Sequence, residues 1–497
     1  MPTPPPPLPT IAGQEPMIVH LAAEYFPYAR TGGLAEAAWG LHRFQHRRGR
    51  RTMAIVPLYG IARRHVRHLR PIGEPFTLQF GARSETFRLL QDDDPASGTP
   101  TCFIEHDGYF GRAGIYGEQG RDYPDNHRRF AAYCAAAIAA LPRLTDGPVL
   151  LHAHDWHAAL APVYLRTWFR GQPWFDRIPV MLSVHNGGYQ GHFPAGIVPD
   201  IGLPWSVYHH ERLEWYGQAN LLKGGLTHSD MACTVSPNHA VELRTDAGGF
   251  GLQGTFRAMG DRFTGVINGI DQQVWDPATD PHIAATYAAE DLRGKASCKA
   301  AVQQRFGLVS SPHTPLVALV GRMATQKGLD TVIQNRMLLD LPAQFVFMGS
   351  GEARIEAGLH ALAHRFPGRV GYEPRFTDDL EHQLMAGADI FLMPSQYEPC
   401  GLTQMRAQRY GTIPVARNVG GLTDTIDDAM SGFLFNAFDE RAVVGGMWRA
   451  LTEYRAAAHW RAMQAEAMRR DFGWERVADR YVALYHQAAA HRAEVLG

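Results

Sequence analysis

The stretch ADIFLMPSQYEPCGLTQMRAQRYGTIPVAR, Ala388 to Arg417, packs a whole structural unit into one short segment. The apolar run "ADIFLMPS" (388–395) reads as a strand with both faces buried. A turn containing Glu398 then hands over to "CGLTQMRAQRYG" (400–411), rich in helix formers, and "TIPVAR" (412–417) is apolar again. Strand, turn, helix and strand in that order build a parallel sheet covered on both faces. Ligands of such sheets bind beyond the carboxyl ends of the strands, which is where Glu398 stands. Beside the first amides of a helix, a carboxylate could serve sugar hydroxyls or developing positive charge, or simply cap the helix.

Outward from this segment the same rhythm recurs. Three more strands are predicted in the second half, at 315–322, 343–349 and 369–374, beside the two above at 388–395 and 412–417. Five are predicted in the first half, at 17–24, 51–58, 148–155, 178–185 and 231–236. The segment 70–106 breaks the pattern and predicts a β-excursion. Two α/β series predict two doubly wound domains, at 17–267 and 268–473. A helix over 474–493 follows within the tail 474–497, and a flexible Pro-rich leader is expected over 1–16.

With 497 residues the chain has room for two domains, and a net charge of −1 argues against a polyanionic partner such as nucleic acid. Five scattered cysteines without C-x-x-C spacing argue for a reducing compartment. With neither a signal-peptide pattern nor an apolar run of about 20 residues, a cytoplasmic protein without membrane contact is expected.

Several segments carry candidate chemistry. "RTGGLAE" (30–36) places Arg30, Gly32 and Gly33 after a strand, where glycine lets backbone approach a ligand, or forms a plain turn. "GRMATQKGLD" (321–330) sets Arg322 and Lys327 to converge on an anion, or to sit as two solvated cations. "HAHDWH" (152–157) has three histidines, but its aspartate, Asp155, stands one place early for a metallohydrolase motif, so no metal is expected there. "SVHNGGYQG" (183–191) sets His185 at a strand end. "MGSGEAR" (348–354) is half a dinucleotide fingerprint with Arg354 in place of the third glycine.

Together and in this order, "RTGGLAE", "HAHDWHA", "VHNGGYQG", "LLKGGLTHSDMACTVSP", "VINGID", "GRMATQKGLD", "EPCGLTQM" and "NVGGLTDTI" make the chain resemble the bacterial glycogen synthases and plant starch synthases, from residue 17 to about 480. The resemblance implies a GT-B fold, two Rossmann-like domains facing across a deep cleft with the final helix crossing back to the first. It implies glucose transfer with retention from ADP-glucose to the non-reducing 4-OH of an α-1,4-glucan primer, with no cofactor and no metal. By the same resemblance Arg322 and Lys327 grip the diphosphate and Glu398 binds the transferring glucose. Cys400, Gly401, Leu402 and Thr403 lie close by, His185 orients the sugar with Asn268 alongside, and Asp155 with the Gly32–Gly33 pair lines the donor site. Arg30 stands where the family usually has lysine, Phe376 where a tyrosine often meets the adenine, and the Gly187–Gly188 pair is expected to loosen its loop. Eight places past Glu398, where some retaining relatives carry a carboxylate, stands Arg406, so a front-face reaction suits the sequence better than a double displacement. The competing readings are a UDP-glucose transferase of the same fold, an inactive glucan-binding homologue, and a zinc hydrolase built on "HAHDWH".

Overall fold

A computed structural model describes residues 7–497, and the chain divides into two compact units. The first comprises Met1–Gly269 with Trp474–Gly497, and the second comprises Ile270–Gly473. No helix among the described residues is long and apolar enough to cross a membrane.

The described residues of the first unit build a ten-stranded sheet. Its parallel strands run in the order Phe263–Gly265, Met231–Thr234, Val180–Val184, Val149–His154, Met17–Leu21, Thr52–Pro57 and Thr101–Glu105. The expected β-excursion follows as Arg83–Asp92, Leu69–Pro71 and Phe76–Phe80, paired antiparallel. Met17–Leu21, Val149–His154 and Val180–Val184 are buried along their whole length, which is why they read as continuous apolar runs. The chain order reverses between Met17–Leu21 and Val149–His154, neighbours in register from Met17 with Val149 to Leu21 with Ala153. Polar residues just past these two strands therefore occupy a topological switch point.

In the second unit the order is Val370–Glu373, Gln344–Met348, Leu316–Val320, Ile390–Met393, Ile413–Arg417 and Phe433–Phe435, all parallel. Here the reversal falls between Leu316–Val320 and Ile390–Met393. The loops leaving those two strands are "GRMATQKG" and "PSQYEPCG".

Three sequence expectations change. The leader is not flexible throughout: residues 1–6 lie outside the described residues, but Leu8 is buried with Ile18, Leu150 and Trp474. The Pro7 carbonyl also accepts from His486 at 3.0 Å. The units divide after Gly269 rather than after 267, because Gly269 lies under Trp474, whose ring would be 2.8 Å from an added Cβ. The helix expected at 400–411 is shorter, Thr403–Arg409, because Gly401 takes φ +70° and Leu402 precedes the first turn.

The terminal helix, Trp474–Leu496, belongs to the first unit. It lays Trp474, Val477, Tyr481 and Tyr485 against Ile18, Leu41, Met181 and Met231. Gly40, on the helix Gly33–Arg47, makes room for it: an added Cβ would meet the Trp474 ring nitrogen at 2.5 Å.

Candidate active site

At the switch point of the second unit two loops lock together. Leaving Leu316–Val320, the chain turns through Gly321 and exposed Arg322 into the short 3₁₀ turn Thr325–Lys327. Gly328 closes the turn at φ +74°, with its Cα so near the neighbouring loop that a Cβ would stand 1.9 Å from the Pro394 carbonyl oxygen. Only glycine fits there, for both conformation and space. The close approach brings Lys327 Nζ to 2.6 Å from Glu398 Oε2, which also accepts from Ser395 Oγ at 3.0 Å. Glu398 is 6% exposed. Two further bonds hold the loops in register: Gln326 Nε2 donates to the Tyr397 carbonyl at 2.5 Å and the Gln396 amide to the Gln326 carbonyl at 2.8 Å.

The backbone behind Glu398 is held as firmly. Its carbonyl accepts from the Gly421 amide at 3.0 Å, and a Cβ on Gly420, at φ +47°, would lie 1.9 Å from that carbonyl oxygen. Gln404 donates to the carbonyls of Cys400 and Gly401 and to Thr425, tying the turn to the helix Gly420–Thr425. Thus the second Gly-Gly junction, at 420–421, supports the Glu398 turn from behind. Cys400 is buried, while Gly401, Leu402 and Thr403 are half-buried. Phe376 is 39% exposed, in the turn following Val370–Glu373.

"MGSGEAR" proves to be a buttress. Glu352 accepts from the Thr325 amide at 2.8 Å and its hydroxyl at 2.9 Å, bracing the lysine turn. Gly349 and Gly351 let the two loops touch, for an added Cβ would lie 1.9 Å from the Gly321 carbonyl oxygen and 2.3 Å from that of Met323. Arg406, where a second carboxylate was considered, is buried. Its guanidinium donates to Glu381 at 2.8 Å and lies 4.2 Å from the Trp275 ring centre.

The first unit gathers its polar groups at its own switch point. Asp155, the first residue after Val149–His154, is buried at φ +59°, and its Oδ1 accepts from the His185 amide at 2.6 Å and the Asn186 amide at 3.3 Å. Burial pushes its carboxyl up to about 7, against the pull of those two amides. Asp155 thus fixes the backbone of "HNGG". Within that loop Gly187 is buried, an added Cβ would meet Leu243 at 2.6 Å, and its carbonyl accepts from Gln190, while Gly188 is exposed.

His185 is half-buried, and burial presses its imidazole down to about 3. Asn268 is buried with its side-chain oxygen unpartnered among the described residues. It follows Phe263–Gly265, two strands across the sheet from His185, and shares no hydrogen bond with it. Gly32 and Gly33 are exposed, with open space around Gly32, and Arg30 is paired with Glu36 at 3.2 Å.

One residue escaped sequence reasoning. Glu24, just past Met17–Leu21, is 4% exposed and accepts from the amides of Thr31 at 2.6 Å and Gly32 at 3.1 Å, the Thr31 hydroxyl at 2.7 Å and the Tyr116 hydroxyl at 2.6 Å. It shapes the "RTGG" turn. Its place at the end of the first strand was the available signal. Of the "HAHDWH" histidines, His157 is a packing residue stacked on Tyr116 at 4.7 Å. His152 and His154 join His20 in a buried group in which one ring nitrogen of each lies within 4.8 Å of the others.

Two facing turns at the reversal of a parallel sheet, one presenting lysine and the other a buried glutamate, sit in a fold shared with known glycosyltransferases. The structure matches the catalytic domain of starch synthase IV from Arabidopsis thaliana, solved with ADP and acarbose, at a TM-score of 0.87 and 32% identity, covering 95% of this chain and 99% of that one. It matches a sucrose-phosphate synthase from Thermosynechococcus elongatus at a TM-score of 0.61 and 17% identity, which speaks for the fold alone. This is the GT-B glycosyltransferase fold. The starch synthase catalytic domain family matches residues 17–258, and the glycosyl transferases group 1 family matches residues 303–466. A glycogen synthase of Anaeromyxobacter sp. is 41% identical over 95% of this chain and 99% of its own length. One of Syntrophotalea carbinolica is 40% identical over 95% and 98%. The chain belongs to the glycogen synthase family and is a glucosyltransferase of glycogen synthesis, using a nucleotide-sugar donor and a glucan acceptor.

Proposed function

We propose that the donor is ADP-glucose, and that glucose passes with retention to the non-reducing 4-OH of an α-1,4-glucan. The observation that carries this reading is the 2.6 Å pairing of Lys327 with buried Glu398 at the sheet reversal. A cation and a carboxylate held this close suit a substrate carrying both a diphosphate and a sugar. Arg322 and Lys327 meet the departing diphosphate, and Glu398 takes the transferring glucose and steadies positive charge at its anomeric carbon. His185 receives a hydroxyl of the sugar, with Asp155 holding its backbone. Phe376 offers a face to the adenine, with Asn268, Arg30 and the Gly32–Gly33 turn completing the donor contacts. The family relative solved with ADP and acarbose supports an adenine nucleotide and a glucan-like acceptor.

In the reaction the bond from the anomeric carbon to the diphosphate oxygen breaks, and a bond from that carbon to the acceptor O4 forms on the same face. The 4-OH proton passes to the departing phosphate oxygen. Arg406 supports this route over a double displacement, since its position offers a guanidinium already engaged by Glu381 and no nucleophile. Two side-chain cations take the part a metal has elsewhere, so no cofactor enters the scheme, and elongation is expected to continue in EDTA.

The test is glucan elongation by the full chain with ADP-glucose beside UDP-glucose, wild type beside Glu398→Gln. ADP-glucose should be preferred, and the substitution should lower kcat by roughly 10²–10³, the usual effect of removing one electrostatic stabiliser. Preference for UDP-glucose, or a trapped glucosyl ester on a side chain, would overturn the reading.

A further inference from the structure

Beneath His185 the first unit buries an unbroken line of hydrogen-bonded rings. His185 Nε2 lies 3.0 Å from His154 Nδ1, and His154 Nε2 lies 3.1 Å from His20 Nδ1. His20 Nε2 lies 2.8 Å from Gln45 Oε1, and Gln45 Nε2 donates to the Tyr485 hydroxyl at 2.9 Å. From there a branch runs to His152 Nδ1 at 2.9 Å, and His152 Nε2 meets Ser183 Oγ at 2.7 Å. His20, His152, His154, Ser183 and Tyr485 are buried to 1% exposure or less, and Gln45 is 4% exposed.

Such a line has a direction. A neutral imidazole donates from one nitrogen and accepts at the other, so each bond dictates the next. Desolvation presses His20 down to about 4 and holds His152 and His154 well below the ordinary histidine range, so the rings stay neutral near pH 7. The amide of Gln45 supplies the polarity, because its oxygen can only accept. His20 must then donate from Nε2 and accept at Nδ1. His154 in turn donates from Nε2 to His20 and accepts at Nδ1 from the Nε2–H of His185. His185 is left with a bare Nδ1.

Turning the amide over would reverse every bond in the line and put the hydrogen of His185 on Nδ1. Two self-consistent arrangements exist, and they differ at the end of the line in whether Nδ1 of His185 accepts or donates.

We propose that Gln45, acting through His20 and His154, is a positioning residue that holds Nδ1 of His185 as a hydrogen-bond acceptor for a substrate hydroxyl. The effect on rate rests on the reading of His185 above; the polarity of the line does not. The three-histidine group has spacing a metal ion could use, yet all six of its ring nitrogens are already hydrogen-bonded, so metal uptake would break the line.

The test combines a spectrum with kinetics on the full chain. Histidine-selective ¹⁵N labelling with long-range ¹H–¹⁵N correlation reports which ring nitrogen carries hydrogen, with His185 assigned from its missing signals in His185→Gln. In the wild type His185 should be neutral, protonated on Nε2 and bare on Nδ1. Gln45→Met removes the polarity and should give mixed protonation at His185 with kcat lowered about tenfold, the scale of one misdirected hydrogen bond. Tyr485→Phe frees the Gln45 amide to turn, so it should shift both readouts in the same direction by less. Protonation on Nδ1 in the wild type, or one equivalent of metal on the purified protein, would overturn the proposal. So would a Gln45→Met protein with unchanged spectrum and kcat. Should Gln45→Met fail to fold, the wild-type spectrum and Tyr485→Phe decide. Failure of the ADP-glucose reading would show instead as preference of the wild type for UDP-glucose, with the imidazole spectrum as expected.

Discussion

Lys327 reaches Glu398 because Gly328 has no side chain. Replacing Gly328 with alanine combines a strained φ with a backbone oxygen 1.9 Å from the new Cβ, so the two loops must part. Elongation should fall by at least 10²-fold, since misplacing reacting groups by about 1 Å costs that much. A thermal melt beside the kinetics would show whether the loss is local. Arg406 makes a different prediction. Arg406→Ala removes one partner of a buried ion pair with Glu381 and should lower stability by about 3–5 kcal/mol in denaturant titration. Arg406→Met with Glu381→Leu should recover most of it, since no charge is then left buried alone. At this scale the sequence was legible where a residue stands at a strand end, as the pairing of Lys327 with Glu398 and the place of His185 show. It was opaque where role depends on contact. Nothing in its motif told that Asp155 holds the His185 backbone, Glu24 carried no motif, and "MGSGEAR", half a dinucleotide fingerprint, braces another loop.

The parallel strands were the most legible elements, because burial on both faces writes them as unbroken apolar runs. Their carboxyl ends were predicted up to three residues too long, since polar switch-point residues such as Asp155 continue the run in sequence while the backbone turns away. The strands Phe263–Gly265 and Phe433–Phe435 were missed, being too short to show a period. The terminal helix announced itself by its apolar spacing, but not the surface it covers. Trp474 anchors it over Gly40 and Gly269, so Trp474→Ala should open a cavity and cost about 3–5 kcal/mol, measured by chemical denaturation. The line through Tyr485 to His185 gives that helix a second duty, because its tyrosine steadies the Gln45 amide.

Taken whole, the molecule stores many neutral histidines. Burial holds His20 and His228 near 4 and His157 and His185 near 3, and it keeps His42, His152 and His154 well below the ordinary histidine range. Between those values and the ordinary 6.5, the unfolded chain binds more protons than the folded one, so stability falls as pH drops through that window. Asp155 and Asp230 act oppositely, their carboxyls being raised by burial, but they are two groups against these seven and His127 and His192, which burial also lowers. Tm should therefore decline steeply from about pH 6.5 to 4 and vary less between 7 and 8, as differential scanning calorimetry would show. A flat profile across the acid window would mean that these rings are charged in the native protein.

The closing helix also sets an order of events during synthesis. Residues Trp474–Leu496 cover Ile18, Leu150, Met181 and Met231, yet the ribosome makes them only after the entire second unit. Until that helix has been made, those apolar positions of the first unit lack its cover, and a nascent chain stalled before 474 should bind a hydrophobic dye or a chaperone that a chain carrying the helix ignores.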